Sequence, residues 1–506
     1  NVLAAEVHQY NASSSDIAFW AELSVRPSAQ HANFKISAGH ETVTLCDATG
    51  AAVDTAPALD VLSGSSFGRV AGNPIGDWTM FPYPTPGTTN SAVGYSGLLE
   101  PPAFTQPCGF YTAPVTVAIT NADAAAAIYY TLDGSTPTNA VTTNCFLYAG
   151  PLTFSERSSL SNGISLIRTN PIEMTNHTQY GWMAPNGLVP KCTVVRAMAY
   201  RNGYFAPRGA AGTWLVGGVP VQHALRVVSL ISDYANLFGA PRGIYVPGDI
   251  YNTLGWNGHS VGLPNANYFQ SGDDWERSAY VQLFESDRTL ALSQFAGIRI
   301  HGAWSRAAAQ KTLCFYARAE YGDGDFDGRL FPNQTDTRFK RFLLRNSGND
   351  WSSVGFRDAM MQQIFRTCVR CDTQDYEPAV VYVNGEYWGV ENLREQYSPF
   401  YLERKYGVAP DNIDFVKADT AGSETLAVEA GDYASYSNVL AFVKSNDLSV
   451  ADNYAWVEQR MDLDNLIDFY ACEIYCCNTD WPGNNLGLWR LKTDYNPGAP
   501  RGHDGR

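Results

Sequence analysis

The segment CNTDWPGNNLGLWR, Cys477–Arg490, contains the strongest local signal in this chain of 506 residues. Pro482 and Gly483 predict a loop, which presents Asp480 and, five residues later, Asn485. A carboxylate can accept the proton of an attacking hydroxyl, and a neutral amide oxygen can bind Mg²⁺ without adding negative charge beside phosphates. From the spacing alone, a turn capped by Asp and Asn is the simpler explanation.

A helix is predicted directly before this loop, and its apolar residues recur at intervals of three and four, so we expect one buried face. The residues of that face are Leu463, Leu466, Ile467, Tyr470, Ile474 and Cys477. Further helices are predicted over Ser353–Arg366, Pro399–Tyr406 and Tyr436–Lys444, with strands over Ala296–Gly302 and Ala379–Val390, the latter with a hairpin turn at Asn384-Gly385. This mixture predicts an α+β domain over residues 225–506.

A second polar segment, Gly297–Gly322, begins with a strand that ends at Gly302. Ser305 and Arg306 follow in a predicted turn, and Lys311 begins the next strand. Lysine supplies a point charge and arginine a bidentate fork, so the two suit a polyphosphate. The alternative is a strand-end lysine whose stem covers apolar surface.

Two β units are predicted upstream, over residues 1–95 and 100–218. Apolar residues alternate over Phe34–Asp54, and Gly and Asp punctuate the turns. In the second unit, AIYYTLDGSTPT (Ala127–Thr138) carries a strand into an Asp133-Gly134 turn, so Asp133 is interpreted as a turn residue and not a catalyst. We expect two β-sandwich domains of the immunoglobulin type ahead of the α+β domain.

The composition limits the partners of the protein. Hydrophobic residues make up 45% of the chain, and the 50 acidic and 35 basic residues give a net charge of −15. Such a surface repels nucleic acid, and we see no membrane span, so neither is an expected partner. The 10 cysteines and the sequons at Asn11, Asn176 and Asn333 favour a secreted or cell-surface glycoprotein, with some cysteines in disulfides and others as buried apolar residues.

Three known families resemble parts of the chain. Ser66, Gly68, Arg69, Trp78, Thr85-Pro86-Gly87 and Asn90 resemble a lamin-tail domain over residues 1–95. The Ala127–Thr138 motif resembles the C-terminal domain of chitobiases and β-hexosaminidases over residues 100–218.

The third domain, residues 225–506, resembles the CotH family of atypical, secretory-type kinases, which are named for a spore coat protein. The motifs that carry this resemblance are Asp273–Glu285, Gly302–Lys311, Leu343–Met360, Val381–Gly407 and IDFYACEIYCCNTDWPGNN.

The CotH resemblance implies a kinase-like fold that binds ATP with Mg²⁺ or Mn²⁺ and phosphorylates protein hydroxyls. It implies that Asp480 is catalytic and that Asn485 is a metal-side amide. It also implies that Lys311 contacts ATP phosphates with help from Arg306, and that Glu395 orients Lys311. Glu395 has a second interpretation as simple charge complementation at a helix N-terminus.

One part of the kinase pattern is expected to be missing. Kinase-type transfer uses a second metal-binding acid, which the CotH family places in a strand shortly after the segment that ends at Gly505-Arg506. Asp494 is too early for this role, and Asp504 reads as the turn before that strand. We therefore expect the chain to continue beyond Arg506 or to be a non-catalytic relative.

Three hypotheses follow from the sequence. The first is a secreted or surface protein kinase that acts on Ser or Thr of an extracellular polypeptide, such as a surface or matrix protein. The second is a structural or adhesive surface protein with an inert kinase-like domain. The third is carbohydrate binding or hydrolysis, although no pair of carboxylates suited to a glycosidase is recognisable.

Overall fold

The structure is a computed structural model in which strands are the main regular element. It describes residues 6–9, 17–20, 41–59, 65–73, 75–85, 88–91, 93–218, 222–256, 263–418 and 427–506. The sequon at Asn11, the start of the Phe34–Asp54 strand pattern, and Pro86 and Gly87 of the lamin-tail motif lie outside these residues.

The N-terminal part forms three antiparallel strand pairs, β1-β2, β3-β4 and β5-β6. Their bounds are Glu6–Gln9 (β1), Ile17–Trp20 (β2), Glu41–Cys46 (β3), Ala52–Leu59 (β4), Ser66–Gly68 (β5) and Thr79–Phe81 (β6). The motif residues Arg69, Trp78 and Asn90 lie together: the Arg69 guanidinium lies 4.5 Å from the Trp78 ring centroid, and Asn90 Nδ2 donates to the Arg69 carbonyl at 2.9 Å.

The second β unit is built around a five-stranded sheet in the order β13-β12-β15-β17-β9. Its strands are Gly97–Leu98 (β7), Ala103–Phe104 (β8), Gly109–Tyr111 (β9), Val115–Val117 (β10), Ile119–Thr120 (β11), Ala127–Thr131 (β12), Cys145–Leu147 (β13), Leu152–Phe154 (β14), Thr193–Tyr200 (β15), Tyr204–Phe205 (β16) and Ala210–Val216 (β17). Asp133 is a turn residue, as expected, because its Oδ1 accepts from the Ser135 amide at 3.0 Å and Gly134 has a φ of +87°.

The third part contains a closed barrel in the order β18-β19-β20-β21-β24-β26-β25. Its strands, with two short ones beside it, are Arg226–Ile231 (β18), Arg277–Phe284 (β19), Leu290–Ile300 (β20), Leu313–Tyr316 (β21), Phe326–Asp327 (β22), Arg338–Phe339 (β23), Arg341–Arg345 (β24), Tyr376–Val383 (β25) and Glu386–Arg394 (β26). The parallel pairing of β18 with β25 closes it. Asn384 and Gly385 form the predicted two-residue turn, with φ values of +46° and +88°.

After the barrel, a three-stranded sheet in the order β28-β27-β29 packs against Tyr401 and Leu402 of the helix that precedes it. The strands are Ile413–Ala418 (β27), Ala427–Ala430 (β28) and Leu486–Leu491 (β29). The α-helices of the described residues are Tyr234–Leu237 (α1), Gly248–Leu254 (α2), Arg357–Phe365 (α3), Pro399–Tyr406 (α4), Ala434–Ser445 (α5), Ala451–Glu458 (α6) and Leu463–Tyr475 (α7). In the described residues, each helix is too short or too polar to cross a bilayer.

The strands thus confirm a multidomain chain with a β-rich N-terminal region, whereas the immunoglobulin-type and α+β assignments stay predictions. The second β unit and the barrel share a hydrophobic core, in which Val194 and Leu215 of the former pack with Val227 and Tyr382 of the latter.

Disulfides were expected, and the structure has none. All 10 cysteines lie in the described residues, and all are free. Cys192 and Cys314 are fully enclosed in the core, where burial raises the pKa of Cys192 to about 12 and that of Cys314 to about 11. They behave as small apolar side chains, which is the other role that the sequence allowed.

Candidate functional site

The loop that carries Asp480 and Asn485 lies between α7 and β29, as the sequence predicts. At its far end, β29 is fixed by antiparallel pairing with β27, in which Leu486 faces Ala418. Asn485 has a φ of +56°, a left-handed conformation that asparagine adopts more readily than most residues. The loop is therefore anchored on both sides while its tip remains exposed.

The Asp480 carboxylate is held by two amides. Asn485 Nδ2 donates to Asp480 Oδ2 at 2.8 Å and to the Asp480 carbonyl at 3.1 Å. Asn484 Nδ2 donates to the other carboxylate oxygen, Oδ1, at 3.0 Å. Asp480 and Asn485, which the sequence analysis pairs at a spacing of five, are thus in direct contact. The two amides orient the carboxylate, which remains exposed to solvent.

Asn478 and Trp481 stabilise this loop from the helix side. The Asp480 amide donates to Asn478 Oδ1 at 3.0 Å, and Trp481 Nε1 donates to the Asn478 carbonyl at 2.8 Å. The Trp481 ring packs edge-on against Tyr470 of α7, with ring centroids 4.7 Å apart. The position of the carboxylate is therefore coupled to α7.

Lys417 of β27 is brought close to the loop by strand pairing. It pairs with Gly487, two residues after Asn485, in the β27-β29 ladder. Its Nζ lies 3.4 Å from Glu429 Oε1 and 5.2 Å from the centre of the Phe415 ring. Sequence analysis did not single out Lys417, because only the strand register brings it close to the loop.

The prediction that one apolar face of α7 is buried is wrong. Within the described part of the chain, Cys472 is the one residue of α7 that is buried. Ile467 and Ile474 are 62% and 66% exposed. The spacing of apolar residues identifies an amphipathic helix, but it does not specify a neighbour that covers the face.

Lys311 lies in a buried cage. Its Nζ donates to Asn170 Oδ1 at 3.1 Å, to the Arg306 carbonyl at 3.0 Å and to the Ala308 carbonyl at 2.8 Å. It also lies 3.8 Å from the centre of the Tyr268 ring. Burial lowers the pKa of the Lys311 ammonium well below its usual range. All three donors are used inside the protein, so contact with ATP phosphates would require the ammonium to leave the cage.

Arg306 is occupied in a similar way. Its Nη1 donates to the Gln270 carbonyl at 2.7 Å and to the Tyr268 carbonyl at 3.2 Å, and its Nε donates to Gly302. Burial lowers the pKa of Arg306 to about 10. The Arg306 guanidinium therefore connects residues 268–270 to the turn that contains Arg306.

Glu395 is buried and bonded to partners other than Lys311. One carboxylate oxygen pairs with Arg404, and the other accepts from the Asp375 amide at 2.7 Å. The structure thus brings Asp480 and Asn485 together, and Lys311 and Arg306 together, but it forms no ion pair between Lys311 and Glu395.

The candidates for a second metal-binding acid differ in their surroundings. Asp494 is exposed. Asp504 is buried, and its carboxylate accepts from Arg506 Nε at 2.9 Å. Among the described residues, no group of three or more His, Cys, Asp or Glu side chains is arranged to hold a metal.

His301 follows β20, and its ring is surrounded by cationic residues. Desolvation, with the charges of Lys417, Arg345 and Arg306, lowers the pKa of His301 to about 3. Because the pKa in the unfolded chain is near 6.5, the unfolded state binds the proton first as the pH falls. Stability is therefore lost below pH 6.5, and the loss is complete near pH 3.

We expect His301→Gln to remove part of this acid sensitivity. Between pH 6.5 and pH 4.5, the free energy of unfolding of the wild type should fall by about 3 kcal/mol more than that of the variant. Denaturant unfolding at several pH values measures the difference, and pH 8, where both side chains are neutral, is the reference. Parallel curves for the two proteins would contradict the assignment.

Comparison with known families places the Asp480 loop in a kinase-like domain. Residues 298–503 match the family described as CotH kinase protein, and residues 106–180 match the chitobiase/beta-hexosaminidase C-terminal domain. The chain thus carries a CotH kinase domain preceded by a chitobiase-like domain, which confirms both resemblances. No curated protein matches the chain. The lamin-tail resemblance of residues 1–95 stays a prediction.

Proposed function

We propose that the CotH kinase domain transfers the γ-phosphoryl group of ATP to a Ser or Thr hydroxyl of an extracellular or surface polypeptide. The observation that carries this proposal is the contact of 2.8 Å between Asn485 Nδ2 and Asp480 Oδ2, in a segment that matches the family. Kinases use an Asp and an Asn at this spacing as catalytic base and metal ligand.

The donors in the loop fit Mg²⁺ or Mn²⁺ with ATP. Both metals prefer oxygen ligands, and the Asn485 amide oxygen is such a donor beside the Asp480 carboxylate. Since the Asn485 nitrogen is turned toward Asp480, its amide oxygen is left without a hydrogen-bond donor among the described residues. Mg²⁺ bound by so few protein groups keeps waters and phosphate oxygens as its other ligands. Metal-bound ATP would supply the phosphoryl group and neutralise its charge.

The residues of the chain then have separate tasks. Asp480 accepts or orients the proton of the attacking hydroxyl, and Asn484 and Asn485 hold the carboxylate in position. Lys417 lies on the strand paired with β29, close in register to the loop, and supplies the positive charge for a phosphate oxygen.

A second candidate function is a structural or adhesive surface protein whose kinase-like domain does not transfer phosphate. The cage that occupies Lys311 and the Glu395–Arg404 ion pair favour this function. An active kinase pairs a lysine with a glutamate, whereas Lys311 and Glu395 each bind other partners here. Incubation of the full chain with γ-labelled ATP, Mn²⁺ or Mg²⁺ and a mixture of Ser- and Thr-containing polypeptides separates the two. Label transfer supports the first function, and ATP binding without transfer supports the second.

Asn485→Ala is expected to weaken metal–ATP binding by about tenfold, because the amide oxygen is lost. Isothermal titration of the full chain with ATP at fixed Mn²⁺ measures the dissociation constant. Asn484→Ala is the matched control in the same loop, since it removes a bond to Asp480 but no proposed metal ligand. Equal ATP affinity in wild type and Asn485→Ala would remove Asn485 from the metal site.

A further inference from the structure

A cavity of about 470 Å³ lies away from the Asp480 loop, between β23, β24 and the first turn of α4. Its lining includes Arg338, Lys340, Arg341, Ser398 and Phe400. Its volume is in the range that small ligands occupy in proteins.

The strand register separates this cavity from the Asp480 loop. Pro410, which also lines it, lies three residues before Ile413, the partner of Leu491 at the end of β29. Asp480 precedes Leu486, at the other end of the same strand. A six-residue strand spans roughly 17 Å, so a ligand in this cavity does not share the proposed phosphoryl-transfer site.

Arg341 is the unusual residue of the cavity. Its guanidinium lies 5.1 Å from the centre of the Tyr316 ring and 5.2 Å from the centre of the Phe400 ring. Among the described residues, it has no hydrogen-bond acceptor and no carboxylate within ion-pair distance. Aromatic faces stabilise the cation but do not satisfy the N–H groups along its edge, so those donors remain available.

The lining also contains two carboxylates, Asp325 and Glu403, and neither lies within ion-pair distance of the Arg341 guanidinium. Arg338 and Lys340 share one carboxylate, Asp325, at 2.6 and 3.0 Å. Arg404 is already paired with Glu395 and Asp336. Arg341 thus places an unpaired positive charge in this cavity, in a protein whose net charge is −15.

We infer that this cavity binds a phosphate monoester, with the Arg341 guanidinium fork on the phosphate oxygens. Guanidinium matches phosphate in a bidentate geometry, and a nearby lysine adds a point charge. The Phe400 ring offers an apolar surface to the group that carries the phosphate. A phosphorylated polypeptide and a free small phosphate share this chemistry, and the inference does not depend on phosphoryl transfer at Asp480.

Calorimetric titration of the full chain tests the inference, with inorganic phosphate, AMP, a phosphoserine peptide and the same peptide without phosphate as probes. We expect the phosphorylated probes to bind, the unphosphorylated peptide not to bind, and Arg341→Gln to weaken binding by about tenfold or more. Arg341→Lys, which keeps the charge but loses the fork, should bind with intermediate affinity. Lys444→Gln makes the same charge change at an exposed helix end and should bind like the wild type.

The relative affinities identify the source of the phosphate. Tighter binding of the phosphopeptide than of AMP and inorganic phosphate assigns the cavity to phosphorylated polypeptides, and the reverse assigns it to small phosphates. The inference is overturned if no phosphorylated probe binds at millimolar concentration. It is equally overturned if Arg341→Gln, shown to be folded by its melting temperature, binds phosphate as tightly as the wild type.

Discussion

Replacement of Asp480 by asparagine is expected to lower phosphoryl transfer by about 10³-fold, in line with the loss of a positioned proton acceptor. The substitution keeps the size of the side chain but removes its negative charge. It also sets an amide nitrogen against the Asn484 and Asn485 amides, which now donate to the carboxylate at 3.0 and 2.8 Å. Transfer of label from γ-labelled ATP to a polypeptide substrate of the wild type measures the effect.

Asp494→Asn is the matched control, because Asp494 is exposed and the same charge is removed. The melting temperature of both variants should equal that of the wild type, since the Asp480 side chain is exposed and contacts only its own loop. Equal transfer rates in the wild type and Asp480→Asn would remove Asp480 from the catalytic role. If Asp494→Asn were as inactive as Asp480→Asn, a general charge effect would explain both.

Elements with local determinants were predicted well. Helix α4 was predicted with the observed bounds, Pro399–Tyr406: Ser398 caps its first turn by accepting from the Tyr401 amide, and Gly407 ends it with a φ of +69°. The Asn384-Gly385 turn was also predicted, because both residues adopt positive φ readily. Closure of the barrel was not predicted, since the parallel pairing of β18 with β25 joins strands about 150 residues apart and has no local pattern.

The same difference between local and long-range determinants applies to the residues of the candidate site. Asp480 and Asn485 share one loop, so their spacing alone brought them together. Lys311 instead finds its partner Asn170 141 residues away, between β14 and β15 of the chitobiase-like domain. Such a contact depends on how the two domains pack. The sequence around Lys311 predicts the start of a strand whether the side chain is buried in the cage or contacts ATP phosphates.

The cage predicts a large structural effect for Lys311→Met. Methionine has a similar length but donates no hydrogen bond, so Asn170 Oδ1 and the carbonyls of Arg306 and Ala308 would be buried without their donor. Hydrogen bonds to a charged group are worth about 1.5–3 kcal/mol each, so we expect a loss of about 3 kcal/mol or more of stability. The melting temperature of the full chain should fall by roughly 5 °C or more.

The same variant separates the two roles of Lys311, because they affect different measurements. A lysine that holds the domain interface changes the melting temperature and leaves the ATP affinity of the folded protein unchanged. A lysine that contacts phosphates lowers ATP affinity at an unchanged melting temperature. Lys444→Met, at an exposed helix end, is the control and should change neither. The three contacts that already occupy the ammonium favour the first outcome, and this would leave Lys417 as the cation closest in sequence register to the Asp480 loop.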